Sequence, residues 1–201
     1  MDMDSIYGDR YTELEEIMQF LLGEIEMIRE KTLEQSDFDP IEHVACRIKS
    51  EESMIEKLNR KGLPLTTEAA FYEVHDAVGI RVVCAFLDDV YMIRDHLKNL
   101  KCCEVVEEKD YIRHAKENGY RSYHLILKIM DKAYAEVQLR TISQDTWAAL
   151  EHHIHYKKEK TEMEKLIGEE LKRCADELAS TDLSMQTIRD MINRSAKEAS
   201  K

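Results

Sequence analysis

The chain has 201 residues, of which 43% are hydrophobic and 35% charged, and its formal net charge at pH 7 is −12. This length fits one domain with helical extensions, and the composition excludes a disordered or collagen-like chain. No apolar run is long enough to cross a membrane and the N-terminus is acidic, so neither a membrane span nor a secretory signal is predicted.

The cysteine spacing and the charge distribution exclude further classes of protein. Five cysteines without CxxC spacing argue against a disulfide framework or a zinc knuckle and favour the cytoplasm. The negative net charge argues against general nucleic-acid binding and gives no support to regulation by single-stranded RNA. Residues 1–39 carry 12 acidic and three basic side chains, or −9, whereas residues 109–128 carry five basic and two acidic ones, or +3. This local basic stretch predicts a pocket for a small polyanion such as a nucleotide.

The N-terminal part of the chain is predicted to be helical. Apolar residues at three- and four-residue intervals indicate an amphipathic helix over about 6–33. A second helix is predicted over about 40–61, with Asp39 as its N-cap, Pro40 in its first turn and Gly62 after its end.

Strands and helices alternate in the middle of the chain. The predicted elements are a capped helix at 66–73, a buried strand at 77–86, a helix at about 89–100 capped by Asp88, and strands at about 103–112, 121–130 and 133–141. A tight turn at Asp131 and Lys132 separates the last two strands. From Ser143 onward a helical region follows, with a break near 159–162.

These elements predict a single α+β domain, because no repeat, low-complexity tract or linker divides the chain. It consists of an N-terminal helix within 1–39, a core at 40–157 and a C-terminal helical region at 158–201. Apolar or small residues with heptad spacing run from Ile167 to Ile192 and predict self-association of the last helix.

A row of polar side chains lies on the predicted second helix. Lys49, Ser53 and Lys57 are four residues apart, so two ammonium groups and a hydroxyl would share one helix face, with Arg47 nearby. Such a row suits a triphosphate. A solvated face paired with neighbouring glutamates is the alternative.

Two carboxylates belong to predicted strands. Asp76 stands just before a buried strand and Glu136 lies within another. Carboxylates from separate strands can converge on Mg²⁺, which takes one or two of them and completes its shell with phosphates and water. The alternative is a buried ion pair of either carboxylate with Arg81 or Arg140.

The densest group of polar and aromatic residues lies at 109–124 and includes Lys116 and Gly119. A glycine allows close backbone approach, an aromatic ring can stack on a base, and basic side chains can hold phosphates. A loop-to-strand turn with solvated basic residues is the alternative.

In this order the segments resemble the synthetase domain of the RelA/SpoT homologue family, most closely its single-domain small alarmone synthetases. The resemblance spans about 40–157. Its motifs are Arg47-Ile-Lys49 with Ser53 and Lys57, Asp76-Ala-Val-Gly79-Ile-Arg81, Asp110-Tyr111-Ile112 with Lys116 and Gly119-Tyr120-Arg121-Ser122-Tyr123-His124, and Glu136-Val-Gln138-Leu-Arg140-Thr141 with Trp147. The resemblance implies a nucleotidyltransferase-like core with a mixed sheet of four or five strands surrounded by helices, and long terminal helices.

The resemblance also implies an activity. Members transfer the β,γ-pyrophosphate of ATP to the 3′-hydroxyl of GTP or GDP, which yields AMP and the alarmones pppGpp or ppGpp, with Mg²⁺ as cofactor. Small members are often homotetramers, so a homo-oligomer is expected here. Two other functions stay open: pyrophosphorylation of tRNA 3′ ends, as in toxic relatives, and a catalytically inactive nucleotide- or RNA-binding protein.

The resemblance assigns roles residue by residue. The ATP-binding residues would be Arg47, Lys49, Ser53, Lys57, Arg81 and Lys109. The GTP-binding residues would be Lys116, Tyr120, Arg121, His124, Gln138 and Asp145. Asp76 and Glu136 would be the catalytic and Mg²⁺-binding residues, with Glu136 also the base for the 3′-hydroxyl. Tyr120 would stack on guanine, and Asp145 would accept hydrogen bonds from the guanine edge.

Overall fold

The computed structural model describes residues 5–154 and 162–199. Within these ranges its elements are α1 (Tyr11–Leu33), β1 (Ile41–Ile48), α2 (Glu51–Lys61), α3 (Thr67–Tyr72), β2 (Val78–Cys84), α4 (Leu87–Lys98), β3 (Cys103–Asp110), β4 (Tyr123–Ile129), β5 (Ala133–Thr141), α5 (Ile142–Ile154) and α6 (Glu162–Ala199). Apart from residue 162, the predicted break near 159–162 lies outside the described residues. None of the described helices has the length and apolar character needed to span a membrane.

The five strands form one mixed sheet in the order β1-β2-β5-β4-β3. Strands β2 and β5 are parallel, and the other neighbouring pairs are antiparallel. The predicted α+β class, with a mixed five-stranded sheet and long terminal helices, is therefore confirmed.

The two faces of the sheet differ because side chains alternate along each strand. One face is apolar: Ile80 and Val82 on β2 and Val137 and Leu139 on β5 are almost completely buried. Helices α1, α3 and α4 contact the sheet and cover this face. The side chains between these residues point the other way, so the polar side chains of β2 and β5 share the opposite face.

The prediction of one helix over 40–61 is wrong in its first half, because residues 41–48 form β1 and pair with β2. Asp39 is not a helix cap: its carboxylate accepts a hydrogen bond from the Ile41 amide and forms an ion pair with Arg29. The helix begins only after Ser50, whose hydroxyl accepts from the Ser53 amide. Its predicted end at Gly62 is confirmed, since this residue is left-handed with φ +67°.

Two smaller differences concern α4 and the β4–β5 turn. Asp88 does not cap α4, because the helix already begins at Leu87 and Asp88 lies in its first turn. At the start of this helix the Asp89 carboxylate accepts a hydrogen bond from the Phe86 amide. The tight turn between β4 and β5 is confirmed, but its left-handed residues are Met130 and Asp131 rather than Asp131 and Lys132.

Candidate active site

The strand register brings six of the predicted site residues onto one face of the sheet. Cross-strand neighbours form two adjacent rows. The first row is Arg47, Gly79, Glu136 and Ile126, and the second is Ala45, Arg81, Gln138, His124 and Lys109. Residues of β1, β2 and β5 in these rows line a cavity of about 260 Å³.

Asp76 lies at one end of this face and is held by two lysines. Its Oδ2 atom is 2.6 Å from Lys57 Nζ and 3.2 Å from Lys49 Nζ. Burial by itself would raise the pKa of Asp76, but the hydrogen bond and charge of Lys57, with a contribution from Lys49, outweigh it and hold the pKa below its usual value. The carboxylate is therefore ionised at neutral pH.

The predicted row on one helix face is not formed, but its lysines still meet. Arg47 lies on β1 and Lys49 in the β1–α2 loop, whereas Ser53 and Lys57 lie on α2. The loop is fixed on both sides: the Lys49 amide donates to the Ala77 carbonyl. The buried Tyr7 hydroxyl donates to the Lys49 carbonyl over 2.6 Å.

Glu136 lies in the middle of the polar face. Its Oε1 atom is 3.0 Å from His124 Nδ1, and its Oε2 atom accepts a hydrogen bond of 3.1 Å from Gln138 Nε2. Burial would raise the pKa of Glu136, but the hydrogen bonds and the His124 interaction outweigh it, so its pKa also lies below the usual value.

Tyr120 lies in the loop formed by residues 111–122, called here the 111–122 loop, and is linked to Glu136 through His124. Its hydroxyl is 2.9 Å from His124 Nε2. The Lys116 ammonium lies 4.8 Å from the Tyr120 ring centroid, and the Trp147 ring centroid lies 6.4 Å away. A half-buried aromatic ring and an exposed basic side chain therefore lie beside His124, the neighbour of Glu136.

The 111–122 loop is packed against α6. Arg121 Nη2 donates to Asp176 on α6 over 2.8 Å. Gly119 has φ +92°, and a Cβ atom there would come within 2.7 Å of the Ala175 side chain. Only glycine fits this position without displacing the helix or the loop. The Trp147 indole N–H donates to the Leu171 carbonyl and fixes α5 against the same helix.

Two arginines meet at Asp145. Arg140 Nη1 donates to Asp145 Oδ1 over 3.0 Å, and Arg81 Nη1 lies 3.6 Å from the same oxygen. The alternative of an ion pair between these arginines and Asp76 or Glu136 is therefore not found among the described ion pairs.

The predicted Lys109 ends β3 at the edge of the polar face. Its ammonium pairs with Glu107 over 2.7 Å, and both side chains are almost half exposed. This pair is a surface contact, which is worth little in water and leaves Lys109 able to turn towards a ligand.

The carboxylates suit a hard divalent cation. Asp76 Oδ1 is buried and has no hydrogen-bond partner, so it remains available as an oxygen ligand. Asp76 precedes β2 by two residues, and in the sheet register Gly79 of β2 pairs with Glu136 of β5, so the two carboxylates lie at neighbouring strands in this part of the sheet. Over residues 5–154 and 162–199, no group of three or more His, Cys, Asp or Glu residues could hold a metal. These residues fit Mg²⁺, which needs few protein ligands when phosphates supply the others.

Sequence reasoning missed three residues of the site: Tyr7, Asp176 and the positioning of Arg140. Tyr7 and Asp176 lie 42 and 55 residues from their hydrogen-bond partners, so no local spacing links them. The sequence identifies Arg140 as part of the motif at 136–141 and as an alternative ion-pair partner of the carboxylates, but not as a residue that positions its neighbours. The alternation of polar residues at 136, 138 and 140 on one strand was the signal that it shares their face.

The fold and the site are those of a nucleotide-dependent transferase. Residues 46–161 match the family model described as "Region found in RelA / SpoT proteins". The chain is 39% identical over 162 residues to the GTP pyrophosphokinase YwaC of Bacillus subtilis, which is 77% of each protein. The chain therefore belongs to the RelA/SpoT family.

Solved structures of a small alarmone synthetase have the same fold as this chain. The small alarmone synthetase 1 of Bacillus subtilis, bound to its product pppGpp, is matched with a TM-score of 0.73 and 29% identity over 90% of this chain and 95% of that one. The same synthetase bound to AMPCPP gives a TM-score of 0.66 and 27% identity over 90% and 94% of the two chains.

Proposed function

We propose that the protein transfers the β,γ-pyrophosphate of ATP to the 3′-hydroxyl of GTP or GDP and so makes the alarmones pppGpp or ppGpp. The relative with 39% identity is a GTP pyrophosphokinase. The structural relative was solved with pppGpp and with AMPCPP, an ATP analogue. Both nucleotides of the proposed reaction therefore have a counterpart in a protein of this fold.

One observation carries the proposal: two ionised carboxylates and a set of cationic side chains share one face of the sheet. Asp76 is oriented by Lys49 and Lys57, which leaves Oδ1 unpaired, and Glu136 lies towards the 111–122 loop. Phosphoryl transfer requires both carboxylates and cationic side chains, because catalysis depends on positioning the reactants and neutralising their charge.

Each part of the site has a proposed role. Arg47, Lys49, Ser53 and Lys57 hold the ATP phosphates, and Arg81 and Lys109 flank the adenine. Tyr120 stacks on guanine, Lys116, Arg121 and His124 bind the acceptor phosphates, and Gln138 and Asp145 complete the acceptor site. In this arrangement Arg121 exchanges its present partner Asp176 for a phosphate, or holds the 111–122 loop through it.

In the reaction, the acceptor O3′ attacks the β-phosphorus of ATP. The bond between that phosphorus and the oxygen bridging to the α-phosphate breaks, and AMP leaves. Glu136 takes the proton of the 3′-hydroxyl, for which its lowered pKa keeps it in the ionised form.

Mg²⁺ is the proposed cofactor, with Asp76 and Glu136 as its protein ligands. Bound there, it would neutralise charge on the transferred phosphates and lower the cost of deprotonating the ribose hydroxyl. The buried, unpartnered Asp76 Oδ1 supports this assignment.

A direct assay tests the function. The purified protein is incubated with Mg²⁺, ATP and, separately, GTP, GDP, GMP or deacylated tRNA, and the nucleotides are separated by anion-exchange chromatography. AMP together with a more highly phosphorylated guanosine product is the expected result. AMP formed only with tRNA would replace the proposal by the tRNA-modifying function, and no AMP with any acceptor would favour an inactive binding protein.

We further propose that the protein is a cytoplasmic homo-oligomer, with a tetramer favoured. Met185, Ile188 and Ile192, which belong to the predicted heptad set on α6, are 48%, 49% and 50% exposed. A second copy of α6 would cover this stripe. The described cysteines are all free thiols, which agrees with a reducing compartment.

A further inference from the structure

Arg140 is the most buried charged side chain near the candidate active site. Its side chain is only 6% exposed, yet it lies on the polar face of the sheet together with Glu136 and Gln138. It donates to Tyr120 Oη over 2.7 Å, to Gln138 Oε1 over 3.0 Å and to Asp145 Oδ1 over 3.0 Å, and its Nε donates to Ser122 Oγ over 3.4 Å. The first three acceptors are residues assigned to the acceptor nucleotide.

The chemistry of the guanidinium sets the direction of the first hydrogen-bond chain. Arginine has only donors, so Tyr120 Oη must accept from Arg140. The single phenolic proton of Tyr120 is then available for His124 Nε2, 2.9 Å away. With Nε2 accepting that proton, the imidazole carries its own proton on Nδ1, and this N–H donates to Glu136 Oε1.

The second chain runs from Arg140 through a side-chain amide. Gln138 Oε1 accepts from Arg140, so its NH₂ group is turned towards Glu136. There it donates to Oε2 over 3.1 Å. Two chains that begin on one guanidinium therefore end on the two oxygens of one carboxylate, and each oxygen keeps a lone pair for a substrate proton.

We infer that Arg140 is a positioning residue that fixes the His124 tautomer and the Gln138 amide orientation, and so aligns Glu136 with the stacking ring of Tyr120. The inference depends on the proposed function for the roles of Glu136 and Tyr120. It joins the guanine-binding and proton-accepting parts of the site through one buried side chain. The bond to Asp145 Oδ1 also fixes this carboxylate, whose Oδ2 atom lies 3.9 Å from His43 Nε2 and is then positioned for the guanine edge.

Two variants test the inference by steady-state kinetics. Tyr120→Phe keeps the stacking ring but interrupts the first chain, so kcat falls about tenfold while the KM for the acceptor stays within about twofold. Arg140→Lys keeps the charge but cannot reach all the acceptors, so kcat falls and the acceptor KM rises while the ATP KM is unchanged.

Arg94→Lys is the matched control. The Arg94 guanidinium also lies over aromatic rings, those of Tyr91 and Tyr123, but it is on α4, which packs against the apolar face of the sheet. We expect wild-type kcat and KM values for this variant. Wild-type kcat in both Tyr120→Phe and Arg140→Lys would overturn the inference.

A spectroscopic measurement tests the His124 tautomer without an assay of activity. Nitrogen-15 NMR of the imidazole side chains distinguishes Nδ1–H from Nε2–H, and a His124→Asn spectrum identifies the signal among the eight histidines. The expected result is the Nδ1–H form in the wild type and its loss in Tyr120→Phe, a variant that changes one atom. A His124 signal with the proton on Nε2 in the wild type would overturn the inference.

The kinetic and the NMR measurements together distinguish a failure of the inference from a failure of the proposed function. If the wild type forms no product with any acceptor, the proposed function fails, and the tautomer alone decides whether Arg140 orders the chains. If product forms but the variants equal the wild type in both arms, the proposed function stands and the inference fails.

Discussion

In the candidate site, the role proposed for Asp76 follows from the oxygen atom that its neighbours leave without a hydrogen bond. Asp76 gives one oxygen to two lysines and keeps the other free. A buried carboxylate paired on one side only is unsuited to a purely structural ion pair, which would satisfy both oxygens. We therefore expect substitutions at this residue to reduce both catalysis and stability.

Asp76→Asn is predicted to abolish synthesis and to lower the free energy of unfolding by about 2 kcal/mol at neutral pH, because Lys49 and Lys57 lose their counter-charge. The folded-state pKa of Asp76 is depressed, so its stabilisation is present above the pKa of an unfolded aspartate, about 3.9, and is lost as the pH falls through the folded value. Thermal melting of both proteins should therefore show a gap that narrows below about pH 4.

The control for this variant is Asp131→Asn, because Asp131 pairs with Lys128 while its side chain is 87% exposed. Exposed pairs contribute little, so its melting should follow the wild type at each pH. A gap between Asp76→Asn and wild type that widens on acidification would contradict the prediction.

Glu136→Gln is predicted to keep the fold and to abolish product formation, since the amide has nearly the same shape but cannot accept the 3′-hydroxyl proton. The measurement is the rate of AMP release, with the melting temperature as a check of folding. Glu108→Gln, a strand carboxylate that pairs with Lys98, should keep its rate. Near-normal turnover in Glu136→Gln would remove Glu136 from the catalytic role.

Among the elements, β1, which lies between α1 and α2, is the strand that the sequence predicted to be helical. Ile41, Val44 and Ile48 have a spacing of three and four residues, which favours a helix locally. The strand is instead stabilised by pairing with β2, about 35 residues further along the chain, and no local pattern reports that pairing.

The central strands were predictable for a physical reason. Residues 78–84 and 133–141 are rich in β-branched and apolar side chains, and apolar and polar residues alternate over 135–140. Their site residues, Glu136 and Gln138, could therefore be placed on one face in advance. The contact of Asp176 with Arg121 could not, since it depends on how α6 packs.

The start of α2 gives a testable consequence of the corrected boundary. Ser50→Ala removes the hydroxyl that accepts from the Ser53 amide, so we expect a loss of about 1 kcal/mol in the free energy of unfolding. Ser184→Ala, within the exposed part of α6, should change it by less than about 0.5 kcal/mol. Equal unfolding free energies in the two variants, measured with urea, would mean that the Ser50 hydroxyl does not stabilise the start of α2.

At the scale of the whole molecule, the exposed stripe on α6 is the feature that the single chain leaves uncovered. Ile188→Lys is predicted to reduce the assembly to smaller species, because a charge would be buried in the proposed interface. Light scattering should give a mass several times 23.6 kDa for the wild type and a lower mass for the variant.

Leu183→Lys is the control for the assembly, since Leu183 is 58% exposed on the same helix but stands outside the heptad set. It should keep the wild-type mass. A wild-type mass of one chain at every concentration would refute self-association.

The contact of Gly119 with Ala175 sets the limits of the smallest active fragment. The family model ends at residue 161, yet the 111–122 loop lies against α6 some way beyond it, and Tyr7 supports the Lys49 loop from well before residue 46. A protein truncated to residues 46–161 would contain the sequence motifs. It would lack α6, against which the loop that carries Tyr120 packs, and Tyr7, whose hydroxyl donates to the Lys49 carbonyl. We therefore expect such a fragment to lose activity although it keeps the sequence motifs of the family.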